Sequence, residues 1–232
     1  MNVTFLSSEL YRVDGLRISG LQDRAYCVFD LEGTGIDYTK EYITQIGAIR
    51  IERGTIPEGG RFSSLVRSPK PIPPAIELLT GITNADMARA PGFPEVYADF
   101  VRFAGDAVLV TQAGYEYDIH LLQKQCGMSG LPMAGNPVID TKAMFTHIHP
   151  EIDAVVSTDF LLNYYSIDAD DVPRHDALSD SVLIGRILLR ILDEYRERGL
   201  DELDLTRGLT VRRFRLPPLA TADTDQAGAA NG

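Results

Sequence analysis

Apolar residues first recur at strand spacing. Tyr26–Glu32 (YCVFDLE), Ile43–Glu52 (ITQIGAIRIE) and Arg61–Arg67 (RFSSLVR) are three runs of strand length, the second ended by Arg53-Gly54. Their short connections predict an antiparallel meander. The period then changes. PKPIPPAIELLTGIT is a proline-rich entry into a short helix that stops at Gly81, and FPEVYADFVRFAG is a helix with Phe, Val and Tyr on one side. AVLVTQAG is a fourth, strongly apolar strand, followed by the helix YDIHLLQKQCG. PVID is a short fifth strand leading into the helix TKAMFTHI, and STDFLLNYYSI is helical. DALSDSVLIGRILLRILDEYRERG is the longest element, with apolar residues at 183, 184, 187, 188, 191, 192 and 195, which is helical spacing. Three strands followed by strand–helix units predict an α/β fold with a central mixed five-stranded sheet flanked by helices.

The ends read differently. In residues 1–25, VTFL and GLRISGL are expected as short strands, a hairpin placed before a main domain at 26–198. Residues 199–216 include TVRRFRL, expected as an added strand of a C-terminal extension. PPLATADTDQAGAANG carries one large apolar residue, so 217–232 is expected to be a disordered tail. No internal repeat is evident.

Composition narrows the class. The chain has 232 residues, 44% hydrophobic and 24% charged, as in soluble globular proteins. Two cysteines, Cys27 and Cys126, are too few for a disulfide framework. The N-terminus lacks the basic start and apolar core of a signal peptide. The apolar segment SVLIGRILLRIL carries Arg186 and Arg190, which argues against a membrane span. A cytoplasmic location is expected. The net charge of −11 argues against coating nucleic acid by bulk electrostatics. It leaves room for a protein that takes a few nucleotides into a metal-lined site, because bound cations dominate the local field there.

Four acids and a histidine are the candidate chemistry. Asp30 and Glu32 stand two apart at a strand end and share one face, beside Gly33, Thr34 and Gly35, where glycines let the chain turn and a ligand approach. The G-x-G-x-x-G spacing of a phosphate loop is absent. Asp118 opens a helix after the fourth strand. Asp180 lies on the apolar stripe of the long helix, in step with Leu183, Ile184, Ile187 and Leu188, and His175 is at or before that helix start. Each acid has a plain alternative: a solvated strand end, a first-turn helix acid, an ion pair with a nearby arginine. Gathered together they would repel and raise one another's pKa values. Hard divalent cations relieve this, since Mg²⁺ prefers shared carboxylate oxygens, water and phosphate, and two such ions roughly 3.5–4 Å apart clamp an in-line displacement at phosphorus.

The sequence resembles the DEDDh group of 3′–5′ exonucleases, which have a ribonuclease H-like fold and include the proofreading epsilon subunit of bacterial DNA polymerase III. FDLEGTG, QAGYEYD and HDALSD carry the resemblance, with PIPPAIELLTGITNADM, APGFPEV and VIDTKAMF between them, over about residues 26–195. The resemblance implies that Asp30, Glu32, Asp118 and Asp180 hold two Mg²⁺ or Mn²⁺ ions, with Asp30 bridging both. It implies that His175 is the general base for a water that attacks the terminal phosphodiester and releases a 5′-mononucleotide. Gly33, Thr34 and Gly35 would offer backbone N–H groups to the terminal nucleotide, and Ile82 would pack on its base. The sequence departs from the family at Gln112-Ala113, where His-Asn is common, at Tyr117 in place of Phe, and at Gly33 in place of Thr. The expected substrate is the 3′ end of single-stranded nucleic acid, DNA favoured for the likeness of LTGIT and HDALSD to the proofreading group. Proofreading would need a DNA polymerase in trans. Alternatives are an RNA-trimming 3′–5′ exoribonuclease of the same fold and a non-catalytic binding module that keeps the fold.

Weaker signals have two readings each. His147, His149 and His120 are expected at the surface or at a helix end. Arg207, Arg212, Arg213 and Arg215 form the densest basic cluster, either a solvated strand face or a guide for a phosphate backbone or partner. Tyr38, Tyr42, Tyr115 and Tyr117 stack on bases or pack in the core and rim.

Overall fold

The structure, a computed structural model, describes residues 1–214. The chain opens with β1 (Asn2–Phe5), β2 (Leu10–Asp14) and β3 (Arg17–Ser19). β1 and β2 pair antiparallel as a hairpin, Asn2 opposite Asp14 and Phe5 opposite Tyr11. β4 (Tyr26–Gly33), β5 (Ile43–Ile51) and β6 (Arg61–Leu65) form the meander that their spacing predicts. Then come α1 (Pro74–Thr80), α2 (Asn84–Met87), α3 (Phe93–Ala104), β7 (Val108–Thr111), α4 (Asp118–Met128), β8 (Val138–Asp140), α5 (Thr141–Ile148), α6 (Thr158–Tyr164) and α7 (Ala177–Glu197). β9 (Glu202–Asp204) and β10 (Leu209–Arg212) follow.

Five strands build the main sheet in the order β6-β5-β4-β7-β8. β4, β5 and β6 are mutually antiparallel, whereas β7 and β8 run parallel to β4. The sheet is therefore mixed, and helices cover both faces. On one face Phe100 of α3 packs against Phe29 of β4 and Phe62 of β6, and Arg50 of β5 donates to the Ala104 carbonyl at 2.8 Å. On the other, α7 lies directly on β5, with the whole predicted stripe from Leu183 to Tyr195 buried.

The terminal strands add two small sheets, β1-β2-β10 and β3-β9. Tyr11, Val13 and Val211 are buried in the same apolar core as the main sheet, so these strands extend that core instead of forming a separate one. The expected disordered tail over 217–232 lies outside the described residues. Cys27 and Cys126 are both buried and free. Among the described residues no helix is long and apolar enough to cross a membrane.

Candidate active site

Strand alternation places Asp30 and Glu32 at the end of β4 on the face that α7 covers. Opposite Asp30 in the register stands Gly47 of β5. A Cβ there would lie 2.1 Å from the backbone carbon of Ala177, so only glycine lets the start of α7 come this close. Ser181 Oγ donates to the Gly47 carbonyl at 3.0 Å. Gln45, paired with Glu32 across the strands, clamps the same helix end: its Nε2 donates to Asp176 Oδ1 at 2.7 Å and its Oε1 accepts from Ala177 N–H at 3.1 Å. These contacts carry Asp180, in the first turn of α7, over the two acids of β4. Gly47 and Gln45 escape a sequence reading because their importance lies in a packing partner about 130 residues away.

Asp118 is the first residue of α4 and is buried. Thr111 Oγ1, at the end of β7, donates to its Oδ2 at 3.0 Å. The loop between them bends through Ala113, at φ +57°. Buried Asp140 braces it, accepting from Ala113 N–H at 3.0 Å, Tyr115 N–H at 3.1 Å and Lys142 N–H at 2.9 Å. Asp140 is thus a positioning residue, a role that VIDTKAMF alone does not reveal.

His175 precedes α7, exposed, with a left-handed backbone at φ +63°. Its N–H donates to Asp180 Oδ2 at 2.8 Å, while Arg174 Nε donates to Oδ1 at 2.8 Å. Arg174 also reaches Asp159 at 2.7 Å. The arginine pair considered for Asp180 is therefore present. It does not take Asp180 out of the acid cluster, because ligand atoms of Glu32, His175 and Asp180 all lie within 4.8 Å of one another. Asp30, Glu32, Asp118, His175 and Asp180 line one cleft of about 800 Å³.

The electrostatics of this cluster follow from burial and like charge. Burial, then the charges of Asp118, Glu32 and Asp180, hold the Asp30 carboxyl well above the usual carboxylate range. Burial and then Asp180 and Asp118 push Glu32 up to about 8. Burial pushes Asp118 up to about 7 against the lowering hydrogen bond from Thr111. Oxygen donors so close and so reluctant to ionise suit a hard divalent cation, which stabilises their charged forms.

The substrate-facing expectations need correction. The Thr34 N–H is already used by the Tyr42 carbonyl at 2.9 Å, and its side chain is buried against Glu41. Gly33 and Gly35 border a second cleft of about 200 Å³ beside Glu32. Neither has a positive φ. They let neighbouring side chains pack closely: a Cβ on Gly33 would meet Tyr117 Oη at 2.6 Å, and one on Gly35 would meet Glu41 Cδ at 2.9 Å. Ile82 is 7% exposed in a small cluster with Ile72, Ile76 and Met87 and lines neither cleft. Among the described residues, Leu31, Ile36, Ile76 and Leu79 are the aliphatic side chains at the second cleft.

Tyr38 and Tyr117 border the main cleft, whereas Tyr115 is buried with its hydroxyl on the Val138 carbonyl at 2.8 Å. Tyr42 sits under Lys124 Nζ at 4.6 Å. His120 is half-buried, stacked on Tyr38 with centroids 4.8 Å apart. His147 meets Tyr195 Oη at 2.9 Å. His149 caps the end of α5 and is buried there against Phe145, 2.8 Å from Glu194. The described arginines of the basic cluster have different surroundings. Arg212 is paired with Asp153, Arg207 lies in the turn before β10, Arg213 reaches the main cleft, and Arg215 is outside the described residues.

Residues 27–188 match the RNase_T exonuclease family. The chain is 33% identical over 174 residues to DNA polymerase III subunit epsilon of Aquifex aeolicus, covering 75% of this chain and 83% of that protein. It is 35% identical over 181 residues to a DNA polymerase III subunit epsilon-like protein of Rhodobacter capsulatus, covering 78% of this chain but only 25% of that one. In three dimensions it is similar to the nuclease domain of 3′hExo, a DEDDh family member solved with rAMP, with a TM-score of 0.65 at 22% identity over 76% of this chain and 95% of that one. The chain belongs to the exonuclease family, with the ribonuclease H-like fold of the DEDDh nucleases and a sequence similar to the epsilon subunit of DNA polymerase III.

Proposed function

We propose that this chain is a divalent-metal-dependent 3′–5′ exonuclease that hydrolyses the terminal phosphodiester of single-stranded nucleic acid, DNA in preference to RNA, and releases 5′-mononucleotides. The observation that carries this reading is the convergence of four carboxylates and an exposed histidine on one cleft. Asp30, Glu32, Asp118 and Asp180 would hold two Mg²⁺ or Mn²⁺ ions. When bound, such cations neutralise the carboxylates, lower the pKa of an attacking water and offset charge at phosphorus. His175 takes the proton from that water, a task suited to neutral imidazole. The His175 backbone N–H, bonded to Asp180 Oδ2, ties this residue to the acid cluster. Thr111, Asp140, Gln45 and Gly47 keep the acids aligned, so little reorganisation remains for the reaction itself.

The preference for DNA is supported by the resemblance to polymerase III epsilon proteins. The same resemblance points to a DNA polymerase in trans as a partner. The test is to incubate the protein and Mg²⁺ with a single-stranded DNA and to chromatograph the products. Nucleoside 5′-monophosphates, blocked by a 3′-terminal phosphate on the substrate, are expected. Release of 3′-monophosphates or of internal fragments would refute the proposal.

A further inference from the structure

The strands added at the two ends of the chain bring Ser8, between β1 and β2, and Arg213 and Phe214, just after β10, to the lining of the acid-bearing cleft. β10 pairs antiparallel with β2, Arg212 opposite Leu10. The chain then leaves β10 and delivers Arg213 and Phe214 to the cleft that holds Asp30, Asp118 and Asp180. The same two residues line an adjoining hollow of about 380 Å³ with Arg212 and Val155. Arg213 and Phe214 thus stand where the cleft opens into the hollow.

Both are held in place. The Phe214 N–H donates to Glu116 Oε2 at 2.9 Å, two residues before Asp118. Wholly buried Lys142 donates to the other oxygen of Glu116 at 2.6 Å and lies 4.1 Å from the centre of the Phe214 ring. The Arg213 guanidinium lies 4.1 Å over the Phe5 ring and donates to the Ser7 carbonyl at 3.1 Å. Its Nε is buried and has no hydrogen-bond partner among the described residues. The nearest carboxylate oxygen, on Glu116, is 3.8 Å away, and Lys142 already matches its charge.

We infer that Arg213 and Phe214 form a binding position for the nucleotide next to the one being removed, Arg213 holding its phosphate and Phe214 its base. This rests on the exonuclease reading. Among the described residues, Arg174 and Arg213 are the arginine or lysine side chains lining the cleft, and Arg174 is taken up by Asp180 and Asp159. Arg213 is therefore the cation placed to meet a backbone phosphate as the strand leaves the acids. An aromatic ring beside a fixed guanidinium suits a single strand without regard to sequence. In a protein of net charge −11, such a preformed contact counts for more than the diffuse surface charge.

The test is the anisotropy of 5′-fluorescein dT10 with Ca²⁺ replacing Mg²⁺ to limit turnover, with dTMP as an unlabelled competitor that fills a single position. Phe214→Ala is expected to weaken dT10 by about 5- to 100-fold, the range of one base stack. Arg213→Ala is expected to reduce the slope of log affinity against log salt by about 0.7, one phosphate contact on a single strand. Arg213→Lys is expected to restore most of that slope. In both alanine variants the advantage of dT10 over dTMP shrinks. Wild-type affinity and slope in both would overturn the inference. So would equal losses for dT10 and dTMP, which would mean that the cleft itself has collapsed. If wild-type protein hydrolyses nothing with Mg²⁺ or Mn²⁺ yet dT10 binding falls as stated, the exonuclease reading fails and this binding position stands.

Discussion

The acid cluster makes the metal-free protein sensitive to pH, and Glu32→Gln measures that sensitivity. Burial, and then the charges of Asp180 and Asp118, push the Glu32 carboxyl up from its ordinary 4.5 to about 8. The folded protein thus keeps a proton that the unfolded chain has released. Stability tied to that proton is complete below the unfolded value and is lost as the pH climbs to the folded one. At about 1.4 kcal/mol per pH unit, the loss is under about 1 kcal/mol at pH 5 and on the order of 3 kcal/mol at pH 7, and it levels off above pH 8. Glutamine mimics the protonated acid and has nothing to lose. In EDTA, Glu32→Gln is therefore expected to match wild type near pH 5 and to exceed it by roughly 3 kcal/mol near pH 7. The assay is urea unfolding followed by circular dichroism, since the chain has no tryptophan. A hundredfold excess of Mn²⁺ over its Kd adds about 2.7 kcal/mol to wild type, and less to the variant. A gap that is the same at pH 5 and pH 8, or a variant less stable than wild type at pH 8, would refute the reasoning.

Three further substitutions follow from the packing. Gly47→Ala forces α7 off β5, because its Cβ would sit 2.1 Å from Ala177; urea midpoints should show a loss of about 1–3 kcal/mol, and the Mn²⁺-induced rise in Tm should shrink because Asp180 moves with the helix. His175→Ala should slow hydrolysis by roughly 10²–10⁴-fold while keeping that rise in Tm, and an unchanged rate would remove His175 as the base. Asp180→Ala should abolish cleavage with the circular dichroism spectrum intact, since among the described residues its side chain bonds only to Arg174 and the His175 backbone N–H; normal Mg²⁺-dependent turnover would contradict the metal-site assignment.

Features set by short-range periodicity were legible in the sequence. Alternation alone puts Asp30 and Glu32 on one face, and the 3.6-residue stripe from Leu183 to Tyr195 gives the length and the buried side of α7. Features set by distant packing were not. The pairing of β10 with β2 joins residues nearly 200 apart, so nothing local marks Phe214 as a cleft residue, and the basic cluster around Arg213 does not by itself say which of its arginines reaches the cleft. Gly47 and Asp140 read as ordinary strand residues until the helix and the loop that they serve are in place. α2 has four residues, too few for periodicity, although Thr83 and Asp86 form a capping box that the sequence displays. The engagement of the Thr34 N–H is equally hidden, since its partner is the chain's own return at Tyr42. His149 stands at the helix end that the sequence allows, but its burial is not legible there because Glu194, which meets it, is 45 residues away.

The central claim is metal-dependent removal of nucleotides from a 3′ end, and a gel addresses it directly. Two 5′-labelled single strands of matched sequence, one DNA and one RNA, are incubated with EDTA, Mg²⁺ or Mn²⁺, beside the Asp30→Ala protein. The account predicts a ladder that shortens from the 3′ end only with metal and only in wild type, faster on DNA than on RNA. No ladder on either strand with either metal would contradict it and would leave a binding module with a nuclease fold.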